Sequence, residues 1–362
     1  IDNYTKKKNA YASTIDYYTG KSFGKAHNTT AESMDLYRYM KEASESNLKY
    51  FLMEISSQAV KLNRIYGMNF NIGAFVNIGY DHIAPNEHAT FEEYLNCKID
   101  FLRKCDTVFL YKEIDRYDYI VSRLKNKKII TFGFSKFCDY QIINVLKDGK
   151  YLNFSIKHKG EVKQYKLSIS GTFNCINASC AIGICESLNI PYENIFNGLL
   201  NTKVEGRMTI YDNFKCPVIV DYAHNRISME ALFKSLKEEY PNKNLKIVVG
   251  CPGDKAFNRR KDVGELCSRY AKHVYLTAED PGFKKVTDIC SDIIKYIDNI
   301  SYDVIIDREM AIIKAMNDAT SDDVIAIIGK GDETYQAVNN QYLFYKSDIK
   351  VVEDEIKNKV GV

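Results

Sequence analysis

Apolar residues along the chain cluster in short runs closed by turn residues, and between the runs they recur at three- and four-residue intervals. That alternation belongs to strand and helix units around a parallel sheet. The second half shows it most clearly. Runs at 216–221, 245–250, 273–277, 302–306 and 323–328 predict strands, and the stretches near 227–239, 258–271, 285–298 and 307–318 predict helices. From about residue 206 onward this predicts a doubly wound, Rossmann-like domain. The first half predicts strands at 49–55 and 72–78, a helix over 91–104, and antiparallel hairpins over 129–170, where polar and apolar residues alternate between Lys and Gly turns. A further helix is predicted to begin near Asn174. The fold class is therefore α/β, with a change of pattern near 203–208 dividing a domain over 1–205 from one over 206–362.

A length of 362 residues suits two domains with real cores, and 45% hydrophobic with 27% charged residues excludes a disordered tail, a fibrous repeat or a disulfide-stapled module. The net charge of +3 is too small to point to nucleic acid or an anionic membrane surface. No apolar run approaches the ~20 residues that span a bilayer. The ten Cys include no CxxC pair and fall largely inside apolar runs, which predicts reduced, buried thiols in a cytoplasmic protein and neither bridges nor zinc. Ile1 opens the chain with no Met and no signal pattern, so the sequence is expected to begin partway through a longer protein.

In open α/β sheets ligands bind beyond the carboxyl ends of strands. The polar residues expected there are Glu54 with Ser56 and Ser57, Asp81 with His82, Asp221 with His224, Gly250–Asp254, Glu279 with Asp280, and Gly329–Glu333. Carboxylates, a His and glycine loops suit phosphate and Mg²⁺ chemistry, whereas the plain alternative is that strand-end turns are polar everywhere. Lys98 falls among Phe91, Tyr94, Leu95 and Leu102 on the apolar stripe of the 91–104 helix. It reads either as a side chain snorkelling from the stripe's edge or as a reactive Lys whose carbamate would bind a metal. His82, Glu87 and His88 match no common metal spacing, and His88 reads as a solvent-facing loop residue. Gly20-Lys21-Ser22 imitates the end of a phosphate loop, but position 15 is Ile where that loop needs Gly.

Taken in order, these blocks resemble the Mur ligase family, and within it the MurE type: His27–Thr30, Met53–Ser57 with Arg64, Asn77–His82, Lys98, Gly171–Asn177, Gly206–Met208, Asp221–Asn225, Gly250–Asp254 and Gly329–Glu333. The resemblance implies a central ATP-binding domain, mostly parallel with an antiparallel hairpin region, followed by a C-terminal domain that binds an incoming amino acid. It implies ATP-dependent amide formation on UDP-N-acetylmuramoyl-L-alanyl-D-glutamate through an acyl phosphate, with Mg²⁺ neutralising the transferred phosphoryl group. By the same resemblance Glu54, His82 and carbamylated Lys98 are catalytic metal ligands, and Asn174, Asn177, Arg207, Asp221 and His224 bind the nucleotide. Thr29, Thr30, Ser56 and Arg64 would hold the UDP-muramoyl peptide, and Lys255, Glu279, Asp280, Gly329 and Glu333 the amino acid. A cytoplasmic monomer without nucleic-acid or membrane partners is expected.

Departures from the family pattern are informative. Diaminopimelate-adding relatives read Asp-Asn-Pro-Arg where this chain has Glu279-Asp280-Pro281-Gly282, and the family's Gly-Gly-Asp-Arg is Pro252-Gly253-Asp254-Lys255. Arg and Lys are not equivalent toward a carboxylate. The loss of two Arg argues against diaminopimelate and leaves lysine or another amino acid. Pro85-Asn86-Glu87-His88 replaces a shorter family loop. The Gly-Lys-Thr phosphate loop and the UDP-binding domain that precede the Asn-Thr-Thr block in relatives do not occur in the sequence, so the expectation is little or no activity from this polypeptide alone. Competing readings are a folylpolyglutamate- or cyanophycin-type ligase and a noncatalytic nucleotide-binding scaffold.

Overall fold

The structure is a computed structural model that describes residues 1–84, 87–148 and 151–360. It divides into two compact units, Ile1–Ile78 with the described residues of Pro85–Ser168 and Asn174–Thr202, and Gly79–Ala84 with Ile169–Phe173 and Lys203 onward. Pro85 and Asn86 of the altered loop lie outside the described residues.

The first unit begins with α1 (Asp2–Thr5), β1 (Ala10–Ala12), β2 (Asp16–Tyr18), β3 (Phe23–Lys25), α2 (Ser33–Glu45), β4 (Phe51–Met53) and α3 (Ser57–Lys61). Strand β4 lies parallel to β1 in a four-stranded sheet of order β3-β2-β1-β4. Then come β5 (Phe70–Phe75), α4 (Phe91–Arg103), β6 (Cys105–Tyr111), α5 (Tyr117–Arg123), β7 (Lys128–Gly133), β8 (Tyr140–Asp148), β9 (Tyr151–His158), β10 (Glu161–Leu167), α6 (Asn174–Ser187) and α7 (Tyr192–Leu200). They build a six-stranded sheet of order β10-β9-β8-β7-β6-β5, parallel from β5 to β8 and antiparallel from β8 to β10. This is the mixture expected, with the alternating 129–170 stretch supplying the hairpins. Strand β6, between β5 and β7, has no alternation to advertise it, because Val108, Phe109 and Leu110 are all fully buried.

The second unit comprises β11 (Thr209–Tyr211), β12 (Val218–Asp221), α8 (Arg226–Glu239), β13 (Asn244–Val249), α9 (Asn258–Tyr270), β14 (His273–Leu276), α10 (Val286–Ile294), β15 (Ser301–Val304), α11 (Arg308–Asp318), β16 (Asp323–Ile328), β17 (Tyr335–Val338), β18 (Gln341–Phe344) and α12 (Asp348–Val360). Its main sheet runs β11-β12-β16-β13-β14-β15, with β12 through β15 parallel. Alternate residues feed two cores. Ile219, Val324, Ala326 and Ile328 pack with Met229, Leu232, Val263, Leu266 and Ile289 of α8, α9 and α10. Val218, Val220, Ile325 and Ile327 pack with Ala311, Ile312, Ala315, Val351 and Val352 of α11 and α12. All six residues of β16 are buried, as a strand covered on both faces requires. The ends of β12, β16, β13 and β14 therefore stand side by side, and the loops leaving them share one edge of the sheet.

All ten Cys are free thiols, seven of them buried, as the composition suggested. Among the described residues no helix is long and apolar enough to cross a membrane.

Candidate active site

In the second unit, the Gly329–Glu333 loop places Lys330 with no side-chain exposure, its Nζ 2.9 Å from Asp280 Oδ1 and 2.5 Å from Glu333 Oε2. Asp280 Oδ1 also accepts the Ala337 N–H at 3.0 Å, and Glu333 Oε1 accepts the Tyr222 hydroxyl at 2.8 Å. Burial works against the Lys330 ammonium, but the two carboxylates outweigh it and hold its pKa above the ordinary value. Glu279, beside Gly329, is pushed up to about 7 by burial, with Arg259 pulling the other way and Asp280 adding to the rise. Lys255 is exposed at the end of the β13 loop.

At Gly282 the backbone has φ +59°, and a Cβ there would lie 1.7 Å from Asp254 Oδ2. The same oxygen accepts the Phe283 N–H at 2.8 Å. The Asp254 carboxylate thus occupies the space into which a larger residue at 282 would project.

Asp221 ends β12 and is gripped by two backbone amides, Met208 N at 2.8 Å and Ala223 N at 2.7 Å. Its pKa is still raised, because burial exceeds what these bonds and Arg207 return. Arg207 stacks on Tyr222, with its guanidinium carbon 4.2 Å from the ring centroid. His224 Nδ1 lies 2.9 Å from the Tyr222 carbonyl, so Nδ1 carries the proton. Burial pulls its pKa well down, which keeps the imidazole neutral with Nε2 as an acceptor.

His82 also belongs to this unit, at φ +58°. The preceding Asp81 is buried and held by Arg259 in a forked pair at 3.0–3.2 Å, with Asn225 Nδ2 at 3.4 Å. Burial alone would raise the Asp81 pKa, but Arg259 brings it below the ordinary value.

In the first unit, β4 runs out into Glu54, whose Oε2 accepts the Thr14 amide at 3.1 Å and the Thr14 hydroxyl. Thr14 Oγ1 stands 3.2 Å from Thr29 Oγ1. Thr30 is buried, and its hydroxyl donates to the Glu54 carbonyl at 2.9 Å and accepts the Ser56 amide at 2.9 Å. Ser56 caps α3 by accepting Ala59 N at 3.1 Å. Arg64 closes the cluster, with Nη1 3.0 Å from the Thr30 carbonyl and Nη2 2.7 Å from Glu32. Asn174 and Asn177 share the first turn of α6, joined at 3.1 Å.

Lys98 lies half-buried on α4 with Nζ 5.0 Å from the Tyr94 ring centroid and 5.7 Å from that of Phe75. The middle of the buried stripe is Ile99, and Lys98 is at its edge. His88 corrects the expectation of a solvent-facing residue. It is buried, 2.9 Å from Ser57 Oγ, because the segment after Asn86 folds back over α3. Among the described residues no three His, Cys, Asp or Glu side chains stand close enough to form a metal cage.

The sequence pattern of the Mur ligase middle domain matches residues 1–185, and that of the Mur ligase glutamate ligase domain matches residues 206–331. The chain belongs to the Mur ligase family. Mur ligases join an amine to a carboxylate in ATP-dependent steps of peptidoglycan precursor synthesis. The chain is 33% identical over 382 residues to a UDP-N-acetylmuramyl-tripeptide synthetase of Lactobacillus delbrueckii subsp. bulgaricus, covering 99% of this chain and 74% of that one. It is 36% identical over 341 residues to a UDP-N-acetylmuramoyl-L-alanyl-D-glutamate–L-lysine ligase of Streptococcus agalactiae, covering 93% and 69%. Its fold matches that of the MurF ligase of Thermotoga maritima solved with ADP, at TM-score 0.63 and 14% identity, covering 99% of this chain and 76% of that one.

Within this Mur ligase, sequence reasoning did not single out Lys330, Arg259 or Tyr222. Lys330 had a weak signal, a cation between two glycines in a strand-end loop. Arg259 had none, since a charged residue in a polar helical stretch reads as a solvated face until the fold buries it.

Proposed function

We propose that this Mur ligase adds a diamino acid of the lysine type, with a free distal ammonium, to UDP-N-acetylmuramoyl-L-alanyl-D-glutamate. The observation that carries this reading is Gly282 against Asp254. Where diaminopimelate-adding relatives place an Arg, this chain has a glycine at φ +59°, and the Asp254 carboxylate fills the space beside it. Asp280 and Glu333 add acidic oxygen nearby. A distal carboxylate would meet like charge there, whereas a distal ammonium would be attracted.

Arg207 and Asp221, with neutral His224, form the set we assign to the nucleotide in the second unit, and Asn174 with Asn177 the set in the first. Thr30, Ser56 and Arg64 hold one another and fix the strand-end loop that carries Glu54, with Thr29 beside it to meet the muramoyl peptide. Glu54 suits a hard cation, since both of its bonds to Thr14 fall on Oε2. Mg²⁺ takes one or two carboxylates and completes its shell with water and substrate phosphates, a demand that Glu54 can meet in part. Lys98 would join it only as a carbamate, because an ammonium donates and cannot ligate. When bound, Mg²⁺ would offset charge on the phosphoryl group.

The test is phosphate release from ATP by the full-length protein with the UDP-muramoyl dipeptide and a panel of L-lysine, L-ornithine, L-alanine and meso-diaminopimelate. L-Lysine or L-ornithine is expected to exceed meso-diaminopimelate in kcat/KM by on the order of a hundredfold or more. Preference for meso-diaminopimelate would overturn the reading.

A further inference from the structure

Behind the strand ends of the second unit lies an ion pair that none of the expected roles uses. Arg308, the first residue of α11, and Asp348, the first of α12, are completely buried and joined by two parallel bonds, Nε to Oδ1 at 2.7 Å and Nη2 to Oδ2 at 2.8 Å. Two of the three remaining N–H donors of the guanidinium go to backbone carbonyls, Nη1 to Ala278 at 3.2 Å and Nη2 to Ile328 at 2.8 Å. Those are the residues immediately before Glu279 and Gly329. On the other side of the pair, Asp348 Oδ2 accepts the Gly331 amide at 3.2 Å and Oδ1 accepts the Tyr345 hydroxyl at 2.6 Å.

One buried pair therefore holds the roots of both loops that carry Glu279, Asp280, Lys330 and Glu333. We propose that Arg308 and Asp348 are positioning residues for the amino-acid site, setting the distance between its two acidic loops. A buried ion pair is weak evidence of stabilisation in itself, because desolvating two charges offsets most of their attraction. Its geometric precision is a different matter. The planar fork can satisfy two carbonyls and a carboxylate only in one arrangement, so it selects that arrangement from others that would pack equally well. Positioning errors of an ångström in such a site cost up to about a hundredfold in rate.

The proposal rests on reading these loops as the amino-acid site, and the experiment separates the two. KM for L-lysine, KM for ATP and kcat are measured in the full-length protein for Arg308→Lys, Asp348→Asn, the milder Tyr345→Phe and the comparator Glu333→Gln, with thermal melts alongside. Tyr345→Phe removes a single hydroxyl from Asp348 and keeps the test open if the other two fail to fold. The expected result is a rise in KM for lysine of on the order of tenfold for Asp348→Asn and Arg308→Lys and about threefold for Tyr345→Phe, with KM for ATP within about twofold of the parent. Lower melting temperatures with an unchanged lysine KM, or equal rises in both KM values, would reduce the pair to a structural role and overturn the proposal. If Glu333→Gln raises the lysine KM and these variants do not, positioning alone fails. If Glu333→Gln leaves it unchanged as well, the amino-acid site itself is misassigned and the proposal falls with it.

Discussion

Lys330 and Asp280 join the ends of β16 and β14 through a 2.9 Å bond whose cation has no exposure to solvent. Glu333 shares the same ammonium, so one positive charge keeps two carboxylates in place. Replacing Lys330 with Met keeps the length of the side chain and leaves both carboxylates without a counterion. Breaking a buried pair from one side costs about 3–5 kcal/mol. Lys330→Met is expected to lower the melting temperature by roughly 10 °C, and adding Glu333→Gln should recover part of the loss. An unchanged melting curve would show that the pair contributes nothing.

Glu279 makes stability depend on pH. Its pKa is raised to about 7, chiefly by burial, from an ordinary 4.5. Between those two values the folded protein holds a proton that the unfolded chain has released, so stability falls as pH rises through this window and stays reduced above it. The full effect is on the order of 3 kcal/mol. Glu279→Gln should therefore gain stability at pH 8 relative to the parent and little at pH 4.5. Denaturant titrations at both values provide the check, and an equal change at the two would contradict it.

Gly282→Arg tests the loop geometry. With φ at +59° and Asp254 Oδ2 where the Cβ must go, the substitution strains the backbone and pushes the Asp254 carboxylate aside. The expected outcome is a loss of about 1–3 kcal/mol with no gain of meso-diaminopimelate ligation. Pairing it with Asp254→Gly should recover only the part of the loss that comes from the clash, since the strain at φ +59° remains. Efficient diaminopimelate ligation by the single variant would mean that the loop yields readily.

Lys98→Ala addresses the carbamate. Turnover is expected to fall by about a hundredfold or more, the scale at which losing a charged group at a phosphoryl-transfer centre is felt. Partial recovery on adding a short-chain carboxylic acid would identify the missing group as an anion. A fully active Lys98→Ala enzyme would remove this residue from the catalytic set.

Much of the second unit was legible in advance, because β12, β13, β14, β15 and β16 are short apolar runs between amphipathic helices, and each begins or ends within a few residues of the predicted bounds. The three-residue strands β1 to β3 and β11 and the exposed hairpin of β17 and β18 were not, since the former carry too few positions for a period to show and the latter has no buried apolar run. His88 was misjudged for a related reason. A polar residue beside Pro and Asn reads as loop surface, and only the path of the chain over α3 makes it buried.

The sequence by itself determined the α/β class, the order of the strand-end blocks and hence the family, since each follows from local spacing that needs no partner to be read. It also determined that Gly282 stands where relatives have Arg. The tertiary structure alone decided which charges meet. Arg259 and Asp81 are 178 positions apart, Lys330 and Asp280 50 apart, and Arg308 and Asp348 40 apart. Ion pairing depends on distance and burial, and neither quantity exists for two residues until the sheet has brought their strand ends together.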